Sequence, residues 1–170
     1  MIEKLVRPKV NKILYYASLF IFLNIAVSVL LAYEFYNPGA VGCSLNSVFD
    51  CMVVAQSKYA VLFGVPVAIW GALFYFGLLV GTLGVALRVP FNKIYKGLRP
   101  NTVLNITRYF TYFGLLFSFY LTYVEAFVLY VYCPYCIIQQ VLVLIIVALH
   151  MWAHKLINQG LKETKVCEFC

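Results

Sequence analysis

The chain has 170 residues, of which 64% are hydrophobic and only 11% charged, with a formal net charge of +7 and a mean hydropathy of +0.91. Apolar runs longer than a soluble core helix needs exclude an ordinary globular domain and point to one integral-membrane domain. The basic residues are spread over three segments beside those runs, where anionic lipid headgroups account for them, so no nucleic-acid partner is expected.

Four spans are predicted, at residues 13–36, 61–89, 104–131 and 134–157. Each meets or exceeds the roughly 20 residues needed to cross about 30 Å of hydrocarbon. The expected fold is an all-α membrane protein, a four-transmembrane-helix bundle over residues 13–157, between an N-terminal segment (1–12) and a tail (158–170). The first apolar run is too long for the h-region of a cleaved signal peptide. Ala40-Val41-Gly42-Cys43 matches a lipoprotein cleavage box weakly and lies well beyond that run.

Charge sets the expected orientation. Lys4, Arg7, Lys9 and Lys12 precede the first span, Arg88, Lys93, Lys96, Arg99 and Arg108 lie at or between the ends of the second and third, and Lys155, Lys162 and Lys165 follow from the end of the fourth. Lys58 alone falls on the other side. The positive-inside bias then places both termini and the middle loop in the cytoplasm. Residues 36–60 and the turn near Cys133 face outward, into a compartment where disulfides persist.

After the first span, Asn37-Pro38-Gly39 is a turn signal, and Leu45, Val48, Phe49 and Met52 recur at helical spacing. This predicts a short amphipathic interfacial helix between spans one and two, with Ser44 as its N-cap and Asn46, Ser47, Asp50 and Gln56 on its polar face. It would carry Cys51 over the bundle mouth. Gly64 and Pro66 then break the chain into span two.

Cys133-Pro134-Tyr135-Cys136 opens the fourth span. Proline suits the first helical position, which puts Cys133 at the cap and Cys136 one turn in. A helix N-terminus presents unpaired N–H groups that stabilise a thiolate. A bare CxxC is equally compatible with structural cysteines or with two metal ligands. A second outward pair, Cys43 and Cys51, favours redox work, and zinc would need further ligands although no histidine faces outward.

These features together resemble the vitamin K epoxide reductase family, four-helix membrane oxidoreductases that couple quinone chemistry to disulfide formation. The likeness rests on Cys43-x7-Cys51, Ser57 six residues later, Gly71-Ala72-Leu73-Phe74-Tyr75 with Gly81 downstream, and Phe127-Val128-Leu129-Tyr130 leading into the CxxC, over about residues 13–155. The resemblance implies that Cys43 and Cys51 are a loop pair taking electrons from an outside dithiol protein, and that Cys133 and Cys136 are the active-site pair. Cys133 would exchange with Cys51, while Cys136 would face the quinone and form the charge-transfer or adduct species. Ser57 matches the family's loop serine near the quinone. Val67 and Gln140 stand where the vertebrate enzymes place an asparagine and a tyrosine, departures that affect epoxide reduction more than reduction of a plain quinone. The bacterial and archaeal, disulfide-forming branch is the closer likeness.

The implied activity is that of a quinone-dependent thiol oxidoreductase. Its electron acceptor would be menaquinone, ubiquinone or a related lipid quinone, and its partner a thioredoxin-like dithiol protein acting in trans, since few residues follow Lys155. Such a ligand needs an apolar pocket with a few polar groups, and Phe63, Trp70, Phe74, Tyr75 and Tyr135 are candidate walls, against a reading as packing or interface belt. The competing functions are a quinone or quinone-epoxide reductase whose product is the reduced quinone, and a non-enzymatic metal-handling or structural membrane protein. Glu125 is a candidate for proton handling, set against plain interfacial solvation. His150 and His154 have a metal-compatible i, i+4 spacing but read as interfacial histidines. Cys167 and Cys170 in the tail have no assigned role.

Overall fold

A computed structural model of the chain describes residues 2–43, 46, 48–87, 89 and 100–167, with side chains described over 8–43, 46, 48–87, 89 and 102–159. Ser44, Leu45, Ser47, the basic residues Arg88, Lys93, Lys96 and Arg99, and the tail residue Cys170 lie outside the described residues, as does the Cys167 side chain.

The helices in chain order are α1 (Ile2–Tyr36), α2 (Cys51–Ala55), α3 (Val67–Ala86), α4 (Pro100–Val124) and α5 (Pro134–Cys167). Four stretches, Pro8–Tyr36, Val67–Ala86, Thr102–Leu129 and Pro134–Gln159, are long and apolar enough to cross a bilayer, and the chain is an all-α membrane bundle. α1 packs against α3 and α5, and α4 closes the ring against the same two.

The interior is layered along α1. Val10, Ile13 and Leu14 meet Ala86, Leu104 and Ala153 at one end, while Ile21 meets Tyr75, Leu78, Val143 and Ile146 in the middle. At the other end Leu31 packs with Cys43, Cys51 and Cys133. Many large apolar side chains, Phe22, Phe76, Leu116 and Phe119 among them, point outward, as lipid-facing residues do. With lipid outside, close packing and polar contacts must hold the helices together. Gly81 supplies one such contact: a Cβ there would lie 2.5 Å from Thr107 Cγ2, so only glycine lets α3 approach α4 this closely.

Two expected boundaries are corrected. The second membrane helix begins at Val67, because residues 61–66 form a hairpin of β1 (Val61–Leu62) and β2 (Val65–Pro66). Its turn places Phe63 and Gly64 at φ of 53° and 80°, left-handed conformations in which the helix cannot continue. The interfacial helix is short and begins at Cys51, with Asp50 as its N-cap in place of Ser44. Val48 and Phe49 precede the helix, and Phe49 forms a backbone bridge to Tyr132.

Candidate active site

The loop that carries the first cysteine pair is pinned at several points. Glu34, buried near the end of α1, accepts 2.8 Å hydrogen bonds from the N–H groups of Gly39 and Val41, which folds the chain back over the helix end toward Cys43. Asn46 Oδ1 accepts from the N–H groups of Val48 and Phe49, an Asx turn. Asp50 Oδ1 accepts from Met52 N at 2.8 Å and Val53 N at 3.3 Å, satisfying the first orphan donors of α2. At the other end of α2, Gln56 Nε2 donates to Phe35 O, a terminal carbonyl of α1. Cys43 and Cys51 are joined in a disulfide with Cα atoms 5.5 Å apart.

The second pair is built from the other side. After α4 the chain makes a π-helical turn (Glu125–Leu129), and Tyr130 at φ 54° ends it. Tyr132 then pairs with the loop, donating its N–H to Val48 O at 2.8 Å and accepting from Asp50 N at 3.0 Å. This bridge sets Cys51 beside Cys133. Cys133 is the cap of α5: its Sγ accepts from Cys136 N at 3.2 Å, the position a serine oxygen takes in an ordinary N-cap. Its own N–H donates to Glu125 Oε2 at 2.9 Å.

Cys133 and Cys136 are free thiols, and the Cys133 and Cys51 sulfurs are 3.3 Å apart. Both residues are buried, so the contact is shielded from solvent. The four sulfurs therefore lie in one chain of contacts: the disulfide between Cys43 and Cys51 abuts Cys133, and Cys133 shares a helical turn with Cys136.

A cavity of about 530 Å³ opens beside them. Cys51, Cys133, Cys136 and Glu125 line it, and so do Ser57, Val67, Trp70, Phe74 and Tyr75. Ser57 lines the cavity, and its Oγ is buried with no hydrogen-bond partner among the described residues. Trp70 is tied to the hairpin by a bond from Nε1 to Leu62 O.

Three expected pocket residues lie elsewhere. Phe63 sits at the hairpin tip, 89% exposed, because the turn carries it away from the bundle. Tyr135 packs on the cysteine cluster without lining the cavity. Gln140 is rotated by one helical step from Gln139 and hydrogen-bonds to Ser118 through Oε1. In its place Gln139 lines the cavity, its Nε2 donating to Ser28 Oγ at 2.6 Å. Gln139 is three residues after Cys136, on the same helix face, which is the signal that could have identified it.

Two further expectations are corrected. Glu125 is 3% exposed, enclosed in the bundle instead of solvated at the interface. It completes a polar or small stripe on α4 and its π turn, Thr107, Thr111, Gly114, Ser118, Thr122 and Glu125, whose spacings of three and four mark one inward face. His150, also expected at the interface, is 1% exposed. Its Nδ1 and Nε2 lie 3.0 Å and 3.2 Å from the hydroxyls of Thr111 and Thr82. Thr111 donates its proton to Thr107 O, so Nδ1 donates to Thr111 while Nε2 accepts from Thr82. Both ring nitrogens are thereby engaged in tying three helices together.

Glu125, Cys133 and Cys136 offer three ligand atoms within 4.8 Å of one another, one fewer than a closed structural zinc site takes. One of these thiols, Cys133, abuts the Cys43–Cys51 disulfide, a contact that thiol–disulfide exchange requires.

Comparison with protein families matches residues 15–151 to the vitamin K epoxide reductase family. Comparison with curated proteins gives no match.

Proposed function

The chain belongs to the vitamin K epoxide reductase family, and is thus a multi-pass membrane oxidoreductase, and from this premise we propose that it is a quinone-linked thiol oxidase that makes disulfides in a thioredoxin-like partner. The observation that carries this reading is the 3.3 Å contact between the Cys51 and Cys133 sulfurs.

Thiol-disulfide exchange proceeds when a thiolate attacks a disulfide sulfur along a mixed-disulfide path, so the two pairs must touch to pass electrons. A partner dithiol reduces the Cys43–Cys51 disulfide and leaves as a disulfide, having given up two electrons and two protons. Cys51 then attacks Cys133 of an oxidised Cys133–Cys136 pair, and Cys136 departs as the thiolate. Cys43 resolves the Cys51–Cys133 bond, which restores the loop disulfide and leaves Cys133 and Cys136 reduced. The reduced pair returns to the disulfide by giving two electrons and two protons to the quinone substrate.

The residues around the cavity fit such a substrate. Its walls are mainly apolar, Ser57 Oγ can donate to a carbonyl oxygen, and Cys136 lines the same space. Val67 lines the cavity with an alkyl group, which favours a plain quinone over an epoxide as acceptor. The positive-inside bias supports both termini in the cytoplasm and the cysteines on the outer face. Lys58→Cys, on the exposed side of the loop, would then react with an impermeant maleimide only from outside.

The test is an anaerobic assay in detergent with reduced thioredoxin and a one-isoprene ubiquinone, following quinone absorbance. Turnover that is lost in Cys136→Ala supports the oxidase. Equal turnover in that variant contradicts it.

A further inference from the structure

Converting a quinone to a quinol with a dithiol moves two protons as well as two electrons, and the sulfur relay accounts only for the electrons. Besides its cysteines and the phenols of Tyr59 and Tyr75, the described lining of the cavity beside Cys136 holds few groups that exchange protons. Among its described lining residues, Glu125 is the only one bearing a carboxyl, amine or imidazole group.

Several independent features hold that carboxyl in place. It stands at the start of the π-helical turn, in register with Ser118 and Thr122 on the inward stripe of α4, and those two also line the cavity. Oε2 accepts the Cys133 N–H, which fixes the side chain against the start of α5. A carboxylate oxygen, the Cys133 sulfur and the Cys136 sulfur all lie within 4.8 Å of one another. A buried carboxyl with no ion pair among the described residues, beside both thiols and lining the cavity, is placed as a proton-transfer group would be.

Resting on the oxidase reading above, we propose that Glu125 is the proton carrier between the Cys133/Cys136 dithiol and the bound quinone. The carboxylate takes the Cys136 thiol proton as that S–H bond breaks. The resulting acid gives the proton to a quinone oxygen and is a carboxylate again, ready to carry the Cys133 proton in the same way. Over the cycle two S–H bonds break, one S–S bond forms, two electrons pass to the quinone and two O–H bonds form on it. Glu125 ends as it began.

Glu125→Gln keeps the size and an acceptor for Cys133 N but cannot carry a proton, whereas Glu125→Asp keeps the chemistry on a shorter stem. The experiment reduces each protein fully, removes the reductant and mixes it with one-isoprene ubiquinone in a single turnover. The expected result is a fall of about 100-fold or more in Glu125→Gln, with Glu125→Asp the faster of the two variants. Oxidation of reduced thioredoxin by the Cys43–Cys51 disulfide, which does not use Glu125, serves as the folding control and should proceed in all three proteins. Wild-type turnover with an undiminished rate in Glu125→Gln, or Gln outperforming Asp, would overturn the carrier role and leave only a hydrogen-bond acceptor. Absence of quinone reduction in the wild type would overturn the oxidase reading and the carrier role together.

Discussion

Cys51 and Cys133 are 82 residues apart in the chain and 3.3 Å apart at their sulfurs. The contact is imposed by backbone: two hydrogen bonds between Tyr132 and the segment of Val48 and Asp50 place the residues that follow side by side. It follows that Cys51 and Cys133 should couple when their usual partners are removed. In the double variant Cys43→Ser with Cys136→Ser, mild oxidation is expected to form a Cys51–Cys133 disulfide, seen by non-reducing peptide mapping. Two thiols that stay free under those conditions would mean that the bridge does not hold in the membrane.

Asp50 positions the short helix that carries Cys51, by accepting from Met52 N and Val53 N. Asparagine caps a helix about as well as aspartate, and alanine does not. Asp50→Ala should therefore lower thermal stability by about 1 kcal/mol and slow electron transfer from the loop, with Asp50→Asn close to wild type. Equal effects of the two substitutions would indicate that charge, and not the cap, matters at this position.

Ser57 lines the cavity, and its buried Oγ lacks a partner among the described residues, so a small rotation of the side chain would offer it to a bound quinone. Removing a hydrogen bond to a ligand costs about 1 kcal/mol, or roughly a fivefold change in affinity. Ser57→Ala should raise the KM for quinone by about that factor, leaving the KM for the dithiol partner unaltered. A rise in the partner KM instead would move Ser57 from the quinone pocket to the docking surface.

Helix packing offers an internal comparison. Gly81 faces the stiff Thr107 side chain, while Gly77, one turn earlier on α3, has open space where a Cβ would go. Overpacking costs about 1–3 kcal/mol, so Gly81→Ala should lower the thermal midpoint in detergent. Gly77→Ala should leave it unchanged or raise it, since alanine is the better helix former.

Much of this architecture is readable in the sequence, for identifiable reasons. Spans follow from apolar length, and Cys133-Pro134 marks a helix start because proline is preorganised for the first turn. The hairpin is hidden: Val61-Leu62-Phe63-Gly64-Val65-Pro66 continues an apolar run, and although Gly64 and Pro66 signal a break, no local pattern shows that the break is a left-handed Phe63-Gly64 turn between two strands. The start of α2 is hidden for a different reason. Periodicity favours a helix through Val48 and Phe49, but their backbone is taken up by the bridge to Tyr132, a partner that no local pattern identifies.

The polar interior was partly legible. His150 and Glu125 each lie near the end of an apolar run, where an interfacial position is the default expectation. Taken alone, neither residue reveals which way its helix faces. The stripe from Thr107 to Glu125 does, because a polar or small residue at every turn of a lipid-embedded helix has nowhere to go but inward. Pocket walls were the least legible, since Phe63 and Tyr135 are chemically suited to a quinone and are directed elsewhere by a turn and by helix rotation.

The order of the relay is tested most directly by separating its two entrances for electrons. Cys51→Ala should lose quinone reduction driven by reduced thioredoxin while retaining it with a small dithiol such as dithiothreitol, which can reach Cys133–Cys136 without the loop pair. Cys136→Ala should lose both. Undiminished thioredoxin-driven turnover in Cys51→Ala would contradict the account, because electrons would then reach the inner pair without passing through the 3.3 Å contact between Cys51 and Cys133.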